Sequence, residues 1–204
     1  IGTNSFDSDW MLPGEPTLED YLKKVHENPE VIKPLYASVK DQCILNSFVM
    51  QDMLYPASAK LLANHMQGLA PSYMYYFDYL TKNIRPAFPG APHTYEIAYV
   101  FGSLDFLTQA PAKVESGANQ CERIMKDIAE FKKENIWPKD WYPIVDKNDP
   151  DDKQLSEKMS ASWAAFARTG NPNVPGQANW PTYDLKSDVM RNYADGNQTI
   201  QGLL

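Results

Sequence analysis

Histidine is almost missing from this chain: 204 residues contain three. No His-x-His, His-x-x-x-His or Cys-x-x-Cys spacing occurs, and a metal site needs several ligands at such intervals, so no metal and no cofactor is expected. Cysteine is scarcer still. Cys43 and Cys121 are too few to staple a chain of this size and read as buried free thiols rather than a pair. Basic residues are outnumbered, 19 Lys and Arg against 26 Asp and Glu, for a net charge of −7. Binding to phosphate backbones needs a basic face, so nucleic acid is not an expected partner. No apolar run approaches the roughly 20 residues of a membrane-spanning helix, and no segment reads as a secretory leader. There is no opening Met: Ile1 leads directly into Gly-Thr-Asn-Ser, as though the chain started inside an element. Most telling, Gly-x-Ser-x-Gly, the strand-to-helix turn that presents a nucleophilic serine, occurs nowhere. Gly102-Ser103 lacks both the spacing and the second glycine.

What is present reads as one α/β unit. Hydrophobic residues make up 43% of the chain, enough for a sizeable core. "EPTLEDYLKKVHENP" has Thr17 as a cap, acids first, lysines later and Asn28-Pro29 as a stop, which predicts a short helix; His26 is read as a solvated residue on it. "VKDQCILNSFVMQDMLYPASAKLLANHMQG" predicts helix broken at Tyr55-Pro56. Its second part runs from Ala57 to Gln67, with Leu61, Leu62 and Met66 at helical spacing and His65 in the last turn, where it can meet the carbonyl end. "PSYMYYFDYL", Pro71 to Leu80, is aromatic and nearly continuous in apolar residues, and predicts a strand buried on both faces. Ala118 to Lys133 predicts an amphipathic helix. "IVDKNDPDDK" reads as an acidic loop. "LSEKMSASWAAFARTG" predicts the clearest helix, with Leu155, Met159, Trp163 and Phe166 on one face and Gly170-Asn171-Pro172 as its stop. "DVMRNY" predicts a last short strand. Two strands are too few to bury these helices, so the chain reads as the end of a larger fold.

His93 stands between the turn "FPGAP" and the run "TYEIAYVFGSL", which fits helix or strand equally. It can serve as base, ligand or structural residue. A serine hydrolase needs a nucleophile, a base and an acid that orients the base. In one α/β arrangement these follow in the order Ser, acid, His. Asp7 lies after a Gly-Thr-Asn turn and precedes His93, with the predicted strand between them. That order suits an acid and a base whose serine lies upstream.

Four segments, in order, carry a resemblance. "IGTNSFDSD" resembles the acid turn, "LYPASAKLLANH" the helix before a long strand, and "APSYMYYFDY" with "GAPHTYEIAYVFG" the strand and the Gly-x-x-His-x-x-Glu-[Ile/Leu]-x-[Phe/Tyr]-[Val/Leu]-Phe-Gly signature. "WAAFARTGNPN" and "WPTYD" complete the set. The chain resembles the C-terminal part of type B carboxylesterases, the α/β-hydrolase family that includes the cholinesterases. The resemblance implies an α/β fold with a mixed central sheet flanked by helices, residues 1–204 being the C-terminal portion of a single domain. It implies hydrolysis of a small carboxylic ester through an acyl-serine, with His93 as general base and Asp7 as its acid. Where the family carries Glu this chain has Asp, with Asp9 as the fallback position. Glu96 is read as a carboxylate that fixes the His93 loop, and Trp10 and Met11 as candidate pocket residues. The implied partner is a separate N-terminal chain with the serine and oxyanion hole; the residues leave the compartment open, and the resemblance favours a secreted or extracellular setting. A noncatalytic cholinesterase-like binding or adhesion domain is the alternative.

Overall fold

A computed structural model describes residues 1–8, 20, 22–23, 28–39, 42–82, 85, 89–107, 149–194 and 199–202. The predicted helix at Ala118 to Lys133 and most of the one around Thr17 lie outside these residues, as do Asp9, Trp10, Met11, His26 and Cys121 and the side chain of Cys43. Asp20, Leu22 and Lys23 are helical, and Leu22 is fully buried against Leu45 and Val49.

Four short strands make one mixed sheet in the order β1-β2-β3-β4: Gly2–Asn4, Tyr75–Phe77, Val189–Tyr193 and Thr199–Gln201. β1 and β3 both run parallel to β2, with Gly2 opposite Tyr75 and Tyr75 opposite Arg191, and β4 returns antiparallel to β3. Parallel neighbours need long crossovers, and the helices lie in them. Between β1 and β2 come α1 (Pro29–Ile32), α2 (Gln42–Leu54) and α3 (Pro56–His65); between β2 and β3 come α4 (Glu96–Val100) and α5 (Pro150–Thr169).

The predicted strand at Pro71 to Leu80 is paired over three residues only, yet its two-sided burial holds. Met74 and Tyr76 face Ala59, Ala63, Tyr183 and Met190 on one side. Phe77 and Tyr75 face Tyr95, Tyr99, Met159 and Trp180 on the other. Aromatic edges interlock there, for example Tyr75 on Trp163 at 5.1 Å between ring centres. The Trp180 indole donates to the Met74 carbonyl at 2.8 Å and ties the "WPTY" turn to β2. The two strands absent from the sequence reading, β1 and β4, are three residues each, too short for a period to show.

Three helical expectations change. α3 packs through Pro56, Ala59 and Ala63, while Leu61 and Leu62 remain largely exposed. The ambiguous run after His93 is helix. The acidic "loop" is in part the first turn of α5: the Asp149 carboxylate caps it, accepting from the Asp151 amide at 2.8 Å, and Pro150 takes the first helical position, where its missing N–H costs nothing. At the far end Gly170 adopts φ 72° and donates to the Phe166 carbonyl at 2.7 Å, a left-handed stop that suits glycine. On α5, Leu155 and Met159 are buried, but Phe166 is 48% exposed. No described helix is long and apolar enough to cross a membrane.

Candidate active site

β1 ends at Asn4, and the chain turns at once. Asp7 closes that turn: its Oδ2 accepts from the Asn4 backbone N–H and from the Thr3 hydroxyl, each at 2.6 Å. The short Asp side chain reaches back to the amide three residues before it, a local side-chain-to-backbone bond that fixes the turn. Asp7 is 5% exposed, and its second oxygen remains to be directed elsewhere.

The loop after β2 meets this turn. Phe6 donates to the Ala91 carbonyl at 2.8 Å, and the Ala91 amide donates to Ser5 Oγ at 2.7 Å. Gly90 makes the approach possible. A Cβ on it would sit 2.6 Å from Ser5 Oγ and 2.9 Å from the Ser5 carbonyl carbon. Asn4 bridges the junction, donating from Nδ2 to the Pro92 carbonyl at 2.7 Å and to Glu96 Oε2 at 2.6 Å.

This stitching brings His93 to Asp7. His93 Nδ1 lies 2.9 Å from Asp7 Oδ1, across 86 residues of sequence. A carboxylate accepts, so Nδ1 carries the hydrogen and Nε2 carries the lone pair. Among the described residues the imidazole is 43% exposed while the Asp7 side chain is 7% exposed: a buried acid holds a more open base. Thr94, the next residue, has φ 67°, a left-handed conformation unusual for a β-branched residue. It turns the chain from His93 into α4, whose first residue is Glu96. Burial raises the Glu96 pKa above the ordinary carboxylate value, opposed by the bond from Asn4. A carboxyl so placed is tied to the acid turn through Asn4.

α2 braces the acid turn from outside. Gln51 Nε2 donates to the Ser5 carbonyl at 3.1 Å, and Ser8 Oγ to the Ser47 carbonyl at 2.6 Å. The Tyr55 ring lies 5.5 Å from the His93 ring, tilted by 38°. Thr3, Asn4, Gly90 and Tyr55 were not singled out from the sequence. Asn4 three residues before Asp7 was a readable turn signal; nothing along the chain ties Tyr55 to His93. Among the described residues no group of three His, Cys, Asp or Glu is placed to hold a metal ion.

Comparison with known proteins identifies the family. The Carboxylesterase family model matches residues 37–139 and 138–202, so His93 falls within the match and Asp7 before it. The chain belongs to the carboxylesterase family. It is 28% identical over 187 residues to the acylcarnitine hydrolase of Rattus norvegicus and 29% over 180 residues to the para-nitrobenzyl esterase of Bacillus subtilis. Those alignments cover 89% and 87% of this chain but 25% and 29% of the relatives. A solved structure, a thermophilic PNB esterase, superposes with a TM-score of 0.63 at 25% identity, over 98% of this chain and 35% of that one. The described elements are thus part of an α/β-hydrolase fold, with its mixed sheet and flanking helices.

Proposed function

We propose that this chain supplies the base and the acid of a carboxylic ester hydrolase, His93 and Asp7, to a serine and an oxyanion hole carried by an N-terminal segment or chain. The observation that supports this most is the Asp7–His93 pair at 2.9 Å, with the acid buried and the base more open among the described residues. In this reading Nε2 takes the serine hydroxyl proton as Oγ attacks the ester carbonyl. The imidazolium then gives that proton to the leaving alkoxide. Water repeats the sequence on the acyl-serine, releasing the acid. Asp7 keeps Nδ1 protonated and stabilises the imidazolium. Trp10 and Met11, just past the acid turn, are proposed as part of the pocket wall.

The test labels the assembled protein with a fluorophosphonate and locates the label by mass spectrometry. Label on one serine of an N-terminal segment, abolished in His93→Ala, is the expected result. His93→Ala is expected to lower ester turnover by about 10⁶-fold; turnover within a few-fold of wild type would rule out the base assignment. Absence of any label would favour a noncatalytic binding domain instead.

A further inference from the structure

We propose that Tyr55 is a positioning residue for His93, holding the imidazole face and favouring its protonated form; this rests on His93 being the base. The ring centres are 5.5 Å apart, inside the roughly 6 Å over which an aromatic face attracts a cation. Nδ1 is taken by Asp7, so the acid fixes one edge of the imidazole, while the Tyr55 ring lies beside it, tilted by 38°.

Tyr55 is placed there by the same helix that braces the acid. α2 is fastened to the acid turn through Gln51 and Ser47, and the Tyr55 amide donates to the Gln51 carbonyl at 2.8 Å, one turn further on. Tyr55 then sits at the break before Pro56, with φ −106° and ψ −67°. Helical bonding resumes across the break, the Ala59 amide donating to the Tyr55 carbonyl at 2.8 Å. Among the described residues two acidic groups also face the imidazole: Asp7 from the acid turn and Glu96 from α4, whose charge acts on His93. Both are on other elements and remain in a Tyr55 variant, so the contribution of the ring can be separated from theirs.

Removal of the ring withdraws stabilisation from the imidazolium. The imidazolium then loses its proton at lower pH. In the assembled esterase, Tyr55→Leu is expected to move the acidic limb of the kcat/KM profile down by about half a pH unit and to lower kcat about three- to tenfold, with KM little changed. Tyr55→Phe keeps the face and stays near wild type. Pentafluorophenylalanine at position 55 keeps the shape but reverses the charge of the face, and moves the limb as Leu does; it decides the matter if Tyr55→Leu fails to fold. An unmoved limb and kcat in both, or a change in KM alone, overturns the proposal and makes Tyr55 a pocket wall. His93→Ala in parallel tests the base assignment itself. NMR titration of the His93 ring reads the Tyr55 contact without turnover, so a shifted titration beside an active His93→Ala protein would place the failure in the base assignment alone.

Discussion

Asp7 divides its two oxygens between two tasks. Oδ2 holds the turn through Thr3 and Asn4, and Oδ1 meets His93. Asp7→Asn can keep only one of them. With its amide oxygen on the Asn4 N–H, the NH₂ faces Nδ1, and the imidazole must adopt the tautomer with its hydrogen on Nε2. Turnover is expected to fall about 10³–10⁴-fold while the thermal midpoint barely moves; a large loss of stability with turnover retained would contradict this. Thr94 is the opposite case, a residue whose backbone is at odds with its side chain. A left-handed conformation costs an ordinary L-residue about 1–2 kcal/mol, and Asn tolerates it better. Thr94→Asn is expected to raise stability by about 1 kcal/mol, or about 2–4 °C in the midpoint, read by calorimetry. His93 was legible from its rarity, its turn and the motif that follows, and Asp7 from the resemblance of "IGTNSFDSD". The bonds that aim them were not, because they join the turn to a loop 86 residues away.

At the scale of elements, α5 shows what pattern reveals and what it hides. Its end was plain from Gly170-Asn171-Pro172. Its start was hidden because Asp149, Asp151 and Asp152 read as solvated charge, although Asp followed by Pro is also a cap followed by a first turn. Asp152 is not solvated at all. It is fully buried, taking the Thr81 hydroxyl at 2.7 Å and the Tyr99 hydroxyl at 2.6 Å. Burial pushes its pKa up, against the pull of those two donors. The folded protein therefore holds this proton to higher pH than the unfolded chain does, and stability falls as pH rises from the ordinary carboxylate value through the raised one. Asp152→Asn lacks that slope. Chemical denaturation of both proteins across the acid range is expected to show the wild type losing stability relative to the variant as pH rises. Parallel curves would mean that Asp152 titrates alike in both states. α3 teaches a related lesson: leucines at helical spacing predict a helix, but Ala59 and Ala63 let it lie close to the sheet, and side-chain size alone did not reveal which face that was.

Across the whole molecule, the class of fold was legible because helices and an aromatic strand alternate along the chain. The sheet order was not, since β1 and β4 offer three residues each and their pairing is set by contacts remote in sequence. Gly90 is where this long-range assembly is most exposed to change. Gly90→Ala forces its Cβ against Ser5 backbone, so the base loop and the acid turn must separate. Stability and turnover are expected to fall together, by about 1–3 kcal/mol in stability, measured by urea unfolding and ester hydrolysis on the same samples. Loss of one without the other would show that the junction yields elsewhere.

The order β1-β2-β3 has a consequence for how the chain is made. The central strand draws its partners from both ends: Ile1 bonds Tyr73 across 72 residues and Trp180 bonds Met74 across 106. Closing loops of that size precedes any reward from the contacts they bring together. At about 5–20 residues per second of synthesis, the acid turn waits several seconds for β2 and longer for β3. Until then the aromatic faces of Tyr75 and Phe77 have no β3 beside them. A ribosome stalled before Val189 is expected to display the Tyr75–Phe77 segment more open to protease than one stalled beyond Gln201 with its tunnel length cleared, read by limited proteolysis of the two stalled chains.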